Sequence, residues 1–167
     1  LQVNDPGAGR QEHVRVAPTA LDGFAVTWTS SVLDGSGSGV AVRRYDNTNT
    51  AVTGQVTVNS TTTDDQLSSA IGAAADGRLV IAWAHNSGSN YEIFGQRYEN
   101  AGAASGSEIA VEGATDTNTA PLIAVADNGQ FVVIWQATDA AGAGVMARVF
   151  DALGAAQGAS FAVNTTT

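Results

Sequence analysis

One pattern recurs three times along this chain of 167 residues, and it constrains the fold more than any other feature. A valine followed by Asn or Glu marks the boundaries of the units, at Val3, Val58, Val111 and Val163. The intervals between these marks are 55, 53 and 52 residues. Tandem units of this length are typical of repeat architectures in which each unit is one supersecondary structure.

Three further landmarks stand in the same order inside every unit. A tryptophan ends an apolar run, at Trp28, Trp83 and Trp135. A turn dipeptide precedes that run, beginning at Asp22, Asp76 and Asn128. After the run, an acidic residue follows an aromatic one, at Asp46, Glu99 and Asp151. An arginine precedes that aromatic residue in two units, at Arg44 and Arg97.

Each unit predicts four short antiparallel strands. The Asp-Gly or Asn-Gly dipeptide predicts a two-residue hairpin turn in which both central residues have positive φ. The apolar run into tryptophan predicts a buried second strand. A loop rich in small residues then leads to the third strand, and in the first unit it predicts a flexible tip. These loops span residues 34–39, 86–90 and 139–144.

Four antiparallel strands in about fifty residues match one blade of a β-propeller. We therefore predict an all-β chain of three four-stranded antiparallel propeller blades. They form a single repeat domain over 1–167, with blades at approximately 4–58, 59–111 and 112–163. Natural propellers have roughly four to eight blades, so three cannot close a ring. We expect half of a six-bladed propeller, closed by a homodimer or by further repeats.

The charge balance limits the partners that this chain can bind. The net charge is −9, and all seven basic residues are arginine. Nucleic acid and anionic membrane surfaces are therefore not expected partners, because both attract basic proteins. The acidic composition is compatible with calcium or with a neutral glycan, but no sequence motif supports a cofactor. The chain has no cysteine, which excludes disulfides and cysteine-ligated zinc.

A resemblance to a known class of repeats rests on the landmarks of the second unit. That unit contains Asp76-Gly77, the run 79–83, the step 96–99 and Gly106 two residues before Glu108. It resembles the propeller-like tandem repeats of large secreted bacterial surface proteins of the adhesin and RTX types. The resemblance covers essentially the whole chain and implies secretion or a bacterial cell-surface location. The calcium-binding nonapeptide of such proteins, Gly-Gly-x-Gly-x-Asp, is absent, so calcium binding is not implied.

Catalytic candidates are few. The only histidines are His13 and His85, and neither recurs in the other units, which favours surface or loop positions over a catalytic base. The only adjacent carboxylate pair, Asp64 and Asp65, lies at a unit boundary and predicts a solvated loop with Asx-type hydrogen bonds. We therefore predict no catalytic residue and no metal site.

The recurring residues predict structural roles. We expect the tryptophans to pack between blades. We expect Asp22, Asp76 and Asn128 to shape turns. Asp46, Glu99 and Asp151 are expected to accept backbone N–H bonds, and Arg44 and Arg97 to stack on a ring or bond acids of a neighbouring blade.

Residues unique to the second unit are better candidates for ligand binding, because not every blade needs them. These are Tyr91 and Phe94, with His85 and Asn90 beside them. The sequence predicts a non-enzymatic secreted or cell-surface module with a structural or adhesive role. The alternatives are a lectin-like propeller that binds neutral glycans and a glycan-active hydrolase or lyase on a propeller scaffold.

Overall fold

Short apolar runs separated by glycine-containing turns form twelve strands in the described part of this chain. A computed structural model of the chain describes residues 1–7, 9–20, 22–115, 120–139 and 142–164, and those residues contain no helix. No segment of this part of the chain is therefore a helix that could cross a membrane. The strands are β1 (Gln11–Pro18), β2 (Phe24–Ser30), β3 (Gly39–Tyr45), β4 (Val56–Thr57), β5 (Asp65–Ala73), β6 (Leu79–Asn86), β7 (Tyr91–Tyr98), β8 (Ala104–Thr115), β9 (Leu122–Val125), β10 (Phe131–Asp139), β11 (Gly142–Phe150) and β12 (Phe161–Ala162).

The strands form three four-stranded sheets in chain order, which we call blade 1 (β1–β4), blade 2 (β5–β8) and blade 3 (β9–β12). Every pairing is antiparallel, and the second and third strands pair without a register shift in each blade. The all-β class and the three four-stranded blades are thus confirmed. The first strand of blade 2 lies beside the first strands of both other blades.

The loops between second and third strands differ from the prediction in two blades. In blade 2, strand pairing continues to Asn86 and Tyr91, so the predicted loop is shortened to a turn over residues 87–90. In blade 3, pairing reaches Asp139 and Gly142, and positions 140–141 lie outside the described residues. Small residues permit pairing as well as flexibility, which composition alone does not distinguish. In blade 1 a longer loop remains, over residues 31–38.

The turns between first and second strands are not the predicted two-residue turns with two positive φ angles. In blade 2, Gly77 N donates to Ala74 O and Ala74 N donates to Arg78 O, which encloses a longer loop. Only Gly77 in that loop is left-handed, with φ 86°. The equivalent hydrogen bond in blade 1 joins Thr19 N to Gly23 O, so Asp22, with φ 57°, occupies the position of Gly77. Blade 1 therefore carries a non-glycine residue where the other blades have glycine.

Substitutions at these two aligned positions are expected to have unequal effects on stability. Gly77→Ala is expected to lower the free energy of unfolding by about 2 kcal/mol, since a left-handed residue with a Cβ costs roughly 1–2 kcal/mol. The new Cβ would also overlap with Asn100 Oδ1. Asp22→Gly is the control and is expected to stay within about 1 kcal/mol of the parent. Urea unfolding measures both, and equal losses would contradict this alignment of the turns.

The first strands of blades 1 and 2 contain matching β-bulges opposite their tryptophans. The register shifts lie between Glu12 and Arg15 and between Leu67 and Ala70. His13 and Ser68 have φ 54° at these points. A bulge re-aims the side chains of its strand. Beside it, the Ser69 hydroxyl lies 3.2 Å from Thr27 Oγ1 and links the two blades.

Each blade has two apolar faces that pack differently. We call the face that carries tryptophan the tryptophan face and the opposite one the valine face. The valine face of blade 1 packs against the tryptophan face of blade 2, including Trp83. The valine face of blade 2 packs in the same way against Trp135 of blade 3. The predicted packing of these two tryptophans between blades is confirmed, whereas Trp28 of blade 1 packs beside Val3 and Leu33.

The recurring acids cap turns, as predicted for two of the three blades. Asp46 Oδ1 accepts hydrogen bonds from Thr48 N and Thr50 N at 2.8 and 2.9 Å. Bonds from the Thr48 hydroxyl and the Thr50 backbone lower the pKa of Asp46. Asp151 Oδ1 accepts the same pair of backbone bonds, from Leu153 N and Ala155 N. Glu99 differs, since its longer side chain accepts the Ser105 hydroxyl at 2.5 Å.

The turn residues Asp76 and Asn128 also serve as predicted. Asp76 Oδ1 accepts Arg78 N at 3.1 Å, and Asn128 Oδ1 accepts Gln130 N at 3.0 Å. Arg78 Nε donates to Asp76 Oδ2 as well, and Arg78 lowers the pKa of Asp76 through these bonds. Both side chains form Asx-type turns, which account for their recurrence without a ligand.

The recurring arginines join each blade to the next. Arg44 is buried and donates to Glu99 O, Gly77 O and Asn100 Oδ1 of blade 2, at 3.1, 2.9 and 3.0 Å. Burial lowers its pKa. Arg97 repeats the contact toward blade 3 by donating to Ala152 O at 3.1 Å. The observed partners of Arg44 and Arg97 are carbonyl and amide oxygens of the next blade, not the rings or carboxylates that we predicted.

Candidate functional site

An open groove runs between the outermost strand of blade 1 and the outer half of blade 2. Its volume is about 500 Å³. Residues 56–60 form one wall, and Gln96, Tyr98 and parts of 102–108 form the other. The strand β4 is only two residues long, so it leaves this space beside β8. Ligand sites usually measure about 300–1,000 Å³, and this groove falls within that range.

The groove contains one carboxylate among its lining residues, that of Glu108. Glu108 Oε1 accepts a hydrogen bond from Ser60 N, and this bond joins blade 2 to blade 1. Gln96 Nε2 donates to Gly106 O at 3.2 Å and to Arg97 O at 2.9 Å. Burial, with a smaller contribution from the charge of Glu108, raises the pKa of Tyr98 to about 12, so its phenol stays protonated.

A buried polar network begins at the end of the groove with Asn59. Asn59 Oδ1 accepts a hydrogen bond from Val40 N at 2.8 Å. Its Nδ2 lies within hydrogen-bonding distance of Asp34 Oδ2, Thr61 O and Gln66 Oε1. Asn59 and Gln66 are almost fully buried, and such groups require hydrogen-bond partners. This network therefore fixes the junction of blades 1 and 2.

The network continues from Gln66 to His85. Gln66 Nε2 donates to Thr63 O at 2.8 Å and lies 3.0 Å from His85 Nδ1. The prediction of a surface or loop position for His85 is wrong, because this residue lies buried in β6. His13 is exposed, as predicted.

The four residues predicted to bind a ligand do not converge. Phe94 contacts His85 edge-on at 6.1 Å and stacks against Trp83, on the face toward blade 1. Tyr91 lies on the opposite face and packs against the core shared with blade 3. Asn90 lies in the intervening turn, where its carbonyl accepts Ser87 N. Strand alternation separates Tyr91 from Phe94, since residues an odd number apart point to opposite faces.

The carboxylate pair 64–65 is also built into the junction. Asp65 begins β5, and its Oδ1 accepts Ser38 N from the blade 1 loop at 2.9 Å. Asp64 has φ 62°. In the described part of the chain, no group of three or more His, Cys, Asp or Glu side chains is placed to bind a metal ion.

The groove was not predicted from the sequence, although two signals point to it. Asn59 and Gln66 are seven residues apart, as are Asn4 and Gln11. Gln11, however, forms a hydrogen bond with the tryptophan of its own blade, because its Oε1 accepts a hydrogen bond from Trp28 Nε1 at 2.9 Å. Glu108 belongs to the step Gly106-Ser107-Glu108 that carries the family resemblance. Neither signal shows that β4 is short enough to leave a groove.

Comparison with known proteins yields a structural likeness. No protein-family model matches the chain, and no curated protein is similar to it. Among solved structures it is similar to an endo-arabinase from Bacteroides thetaiotaomicron VPI-5482, with 16% sequence identity and a TM-score of 0.53. The match covers 86% of this chain and 58% of the arabinase, so this chain spans under two thirds of that protein. At this identity the likeness concerns the fold.

This comparison corrects one prediction. We predicted that the chain is not an enzyme, because its three units are nearly equivalent and the sequence offers no converging set of histidine and carboxylate residues. A solved structure with a similar fold is that of an enzyme, an endo-arabinase, and so it contradicts that prediction. Near-equivalent blades are a property of the scaffold, and function resides in the sites that the scaffold carries.

Proposed function

We propose that the groove between blades 1 and 2 binds a neutral polysaccharide. The observation that carries this proposal is the groove of about 500 Å³, which places Glu108 and Gln96 beside the apolar wall of Val56 and Val58. Sugar hydroxyls both donate and accept hydrogen bonds. The Glu108 carboxylate can accept them, and the hydroxyls of Ser60 and Ser107, which also line the groove, can donate. The net charge of −9 disfavours an anionic ligand.

The first polysaccharide to test is arabinan, because the similar solved structure is that of an endo-arabinase. An array of neutral and acidic glycans, followed by calorimetry with arabinan oligosaccharides, measures binding. We expect binding to neutral glycans and none to acidic ones. Failure to bind any neutral glycan would overturn the proposal.

Cleavage of the bound glycan is the second candidate, favoured by the likeness to an enzyme. Glycoside hydrolysis commonly uses two carboxylates, about 5–5.5 Å apart in retaining enzymes and 6.5–9.5 Å apart in inverting ones. Glu108 supplies one of these groups in the groove. Release of reducing ends from arabinan measures this activity directly, and its absence alongside binding would leave a lectin-like module.

Glu108→Gln is expected to weaken glycan binding by roughly 10–100-fold, since hydrogen bonds to charged groups contribute about 1.5–3 kcal/mol. The amide keeps an oxygen that can accept Ser60 N, so the fold is retained. Glu112→Gln is the matched control, because Glu112 lies on the same strand outside the groove. Calorimetry with one oligosaccharide compares the three proteins. Unchanged affinity in Glu108→Gln would place the binding site elsewhere.

A further inference from the structure

The valine face of blade 3 is open, although the same face is covered in the other two blades. In each blade the tryptophan pairs with one residue of the third strand, and the residue before that partner lies on the valine face. The exposed fraction of this residue is 0% for Val40, 1% for Ile93 and 40% for Val145. The valines at the unit boundaries show the same difference, with exposed fractions of 5% for Val58, 0% for Val111 and 52% for Val163. Phe161 adds a ring that is 51% exposed. In blades 1 and 2, the tryptophan face of the following blade covers these positions.

The tryptophan face of blade 1 is the counterpart of this open face. It is covered by Val3, whose carbonyl accepts Arg43 Nη1 at 2.6 Å and the Tyr45 hydroxyl at 3.2 Å. In blade 3 the equivalent Arg148 Nη1 donates to Val111 O of blade 2, at 2.8 Å. Val3 thus takes the position that a valine of the preceding blade takes elsewhere.

We propose that the valine face of blade 3 binds the tryptophan face of blade 1 in a second copy of this chain. The chain already makes this type of contact twice, between blades 1 and 2 and between blades 2 and 3. Two such contacts related by a twofold axis close a ring of six blades, within the natural range of roughly four to eight. Three copies would present nine blades, which is beyond that range. This inference is independent of the proposed glycan site.

The contact requires an exchange of segments. The end of blade 3 is already arranged like that of blade 1, since Val163 N donates to Val145 O and Val145 N donates to Asn164 Oδ1, at 2.8 and 2.7 Å. In blade 1, the corresponding bonds of Val58 and Asn59 to Val40 are both 2.8 Å. Val163 of one copy and Val3 of the other would occupy the same position. Residues 1–4 must therefore leave the tryptophan face when the dimer forms.

Light scattering over a concentration series tests the dimer. We expect twice the chain mass of 16.9 kDa. Val163→Asp is expected to weaken the dimer by roughly a hundredfold or more, because it buries a carboxylate at the contact. Deletion of residues 1–4 is expected to strengthen the dimer by roughly tenfold, since no segment then has to be displaced.

Leu153→Asp is the matched control, because Leu153 is 76% exposed in blade 3 and lies in the turn next to Ala152, which bonds blade 2. The dimer of this variant is expected to be as strong as that of the parent chain. A monomer up to about 100 µM, a range that reaches weak associations, would overturn the proposal. A dimer that Val163→Asp and Val145→Asp leave intact would also overturn it. If the deletion does not strengthen the dimer, the segment exchange is wrong.

Discussion

Arg44→Met is expected to lower the free energy of unfolding by about 3 kcal/mol. The guanidinium is buried between blades 1 and 2, where it donates to Gly77 O, Glu99 O and Asn100 Oδ1. Methionine keeps the length and apolar packing of the side chain but leaves these three oxygens of the turns without their donor. A buried acceptor left without a partner carries its full desolvation penalty.

Arg97→Met is the matched control for this prediction. Arg97 stands at the same position of blade 2, but it is only half-buried, and its Nη1 donates to Ala152 O of blade 3. Its replacement is expected to cost about 1 kcal/mol, the usual contribution of a single hydrogen bond. Urea unfolding of both variants, followed by tryptophan fluorescence, gives the comparison. Equal losses of unfolding free energy in the two variants would show that burial of the guanidinium does not determine how much it stabilises the protein.

The blades could be predicted from the sequence because their landmarks are local. A tryptophan at the end of an apolar run and a turn dipeptide before it specify a hairpin, whatever the rest of the chain does. The turn type could not be predicted from the dipeptide alone. Asp22-Gly23 and Asp76-Gly77 read identically, yet Asp22 takes the position of Gly77 because the chain of blade 1 is one residue shorter before its tryptophan.

The candidate site could not be predicted because it depends on contacts between blades. Tyr91 and Phe94 stood out as unrepeated aromatic residues, but the two faces of blade 2 meet different neighbours, and both rings pack into cores. His85 lies on a strand that extends further than its apolar run suggests, so it is buried against Gln66. The groove exists because β4 is short. Residue patterns in a sequence indicate where strands form, but they do not indicate where space remains between two strands.

Asn59→Ala is expected to lower the free energy of unfolding by about 3 kcal/mol, because several buried hydrogen-bond partners lose their contact at once. Val40 N would lose its acceptor, and Gln66 Oε1 would lose its donor, in the closed junction of blades 1 and 2. Asn164→Ala removes the equivalent bond to Val145 N, which is exposed, and is expected to cost under about 1 kcal/mol. Thermal unfolding of both variants measures the difference. A loss for Asn164→Ala as large as that for Asn59→Ala would show that the asparagine acts within its own blade. A larger loss for Asn59→Ala would show that the network to blade 2 makes this junction stable, and that the wall of the groove depends on it.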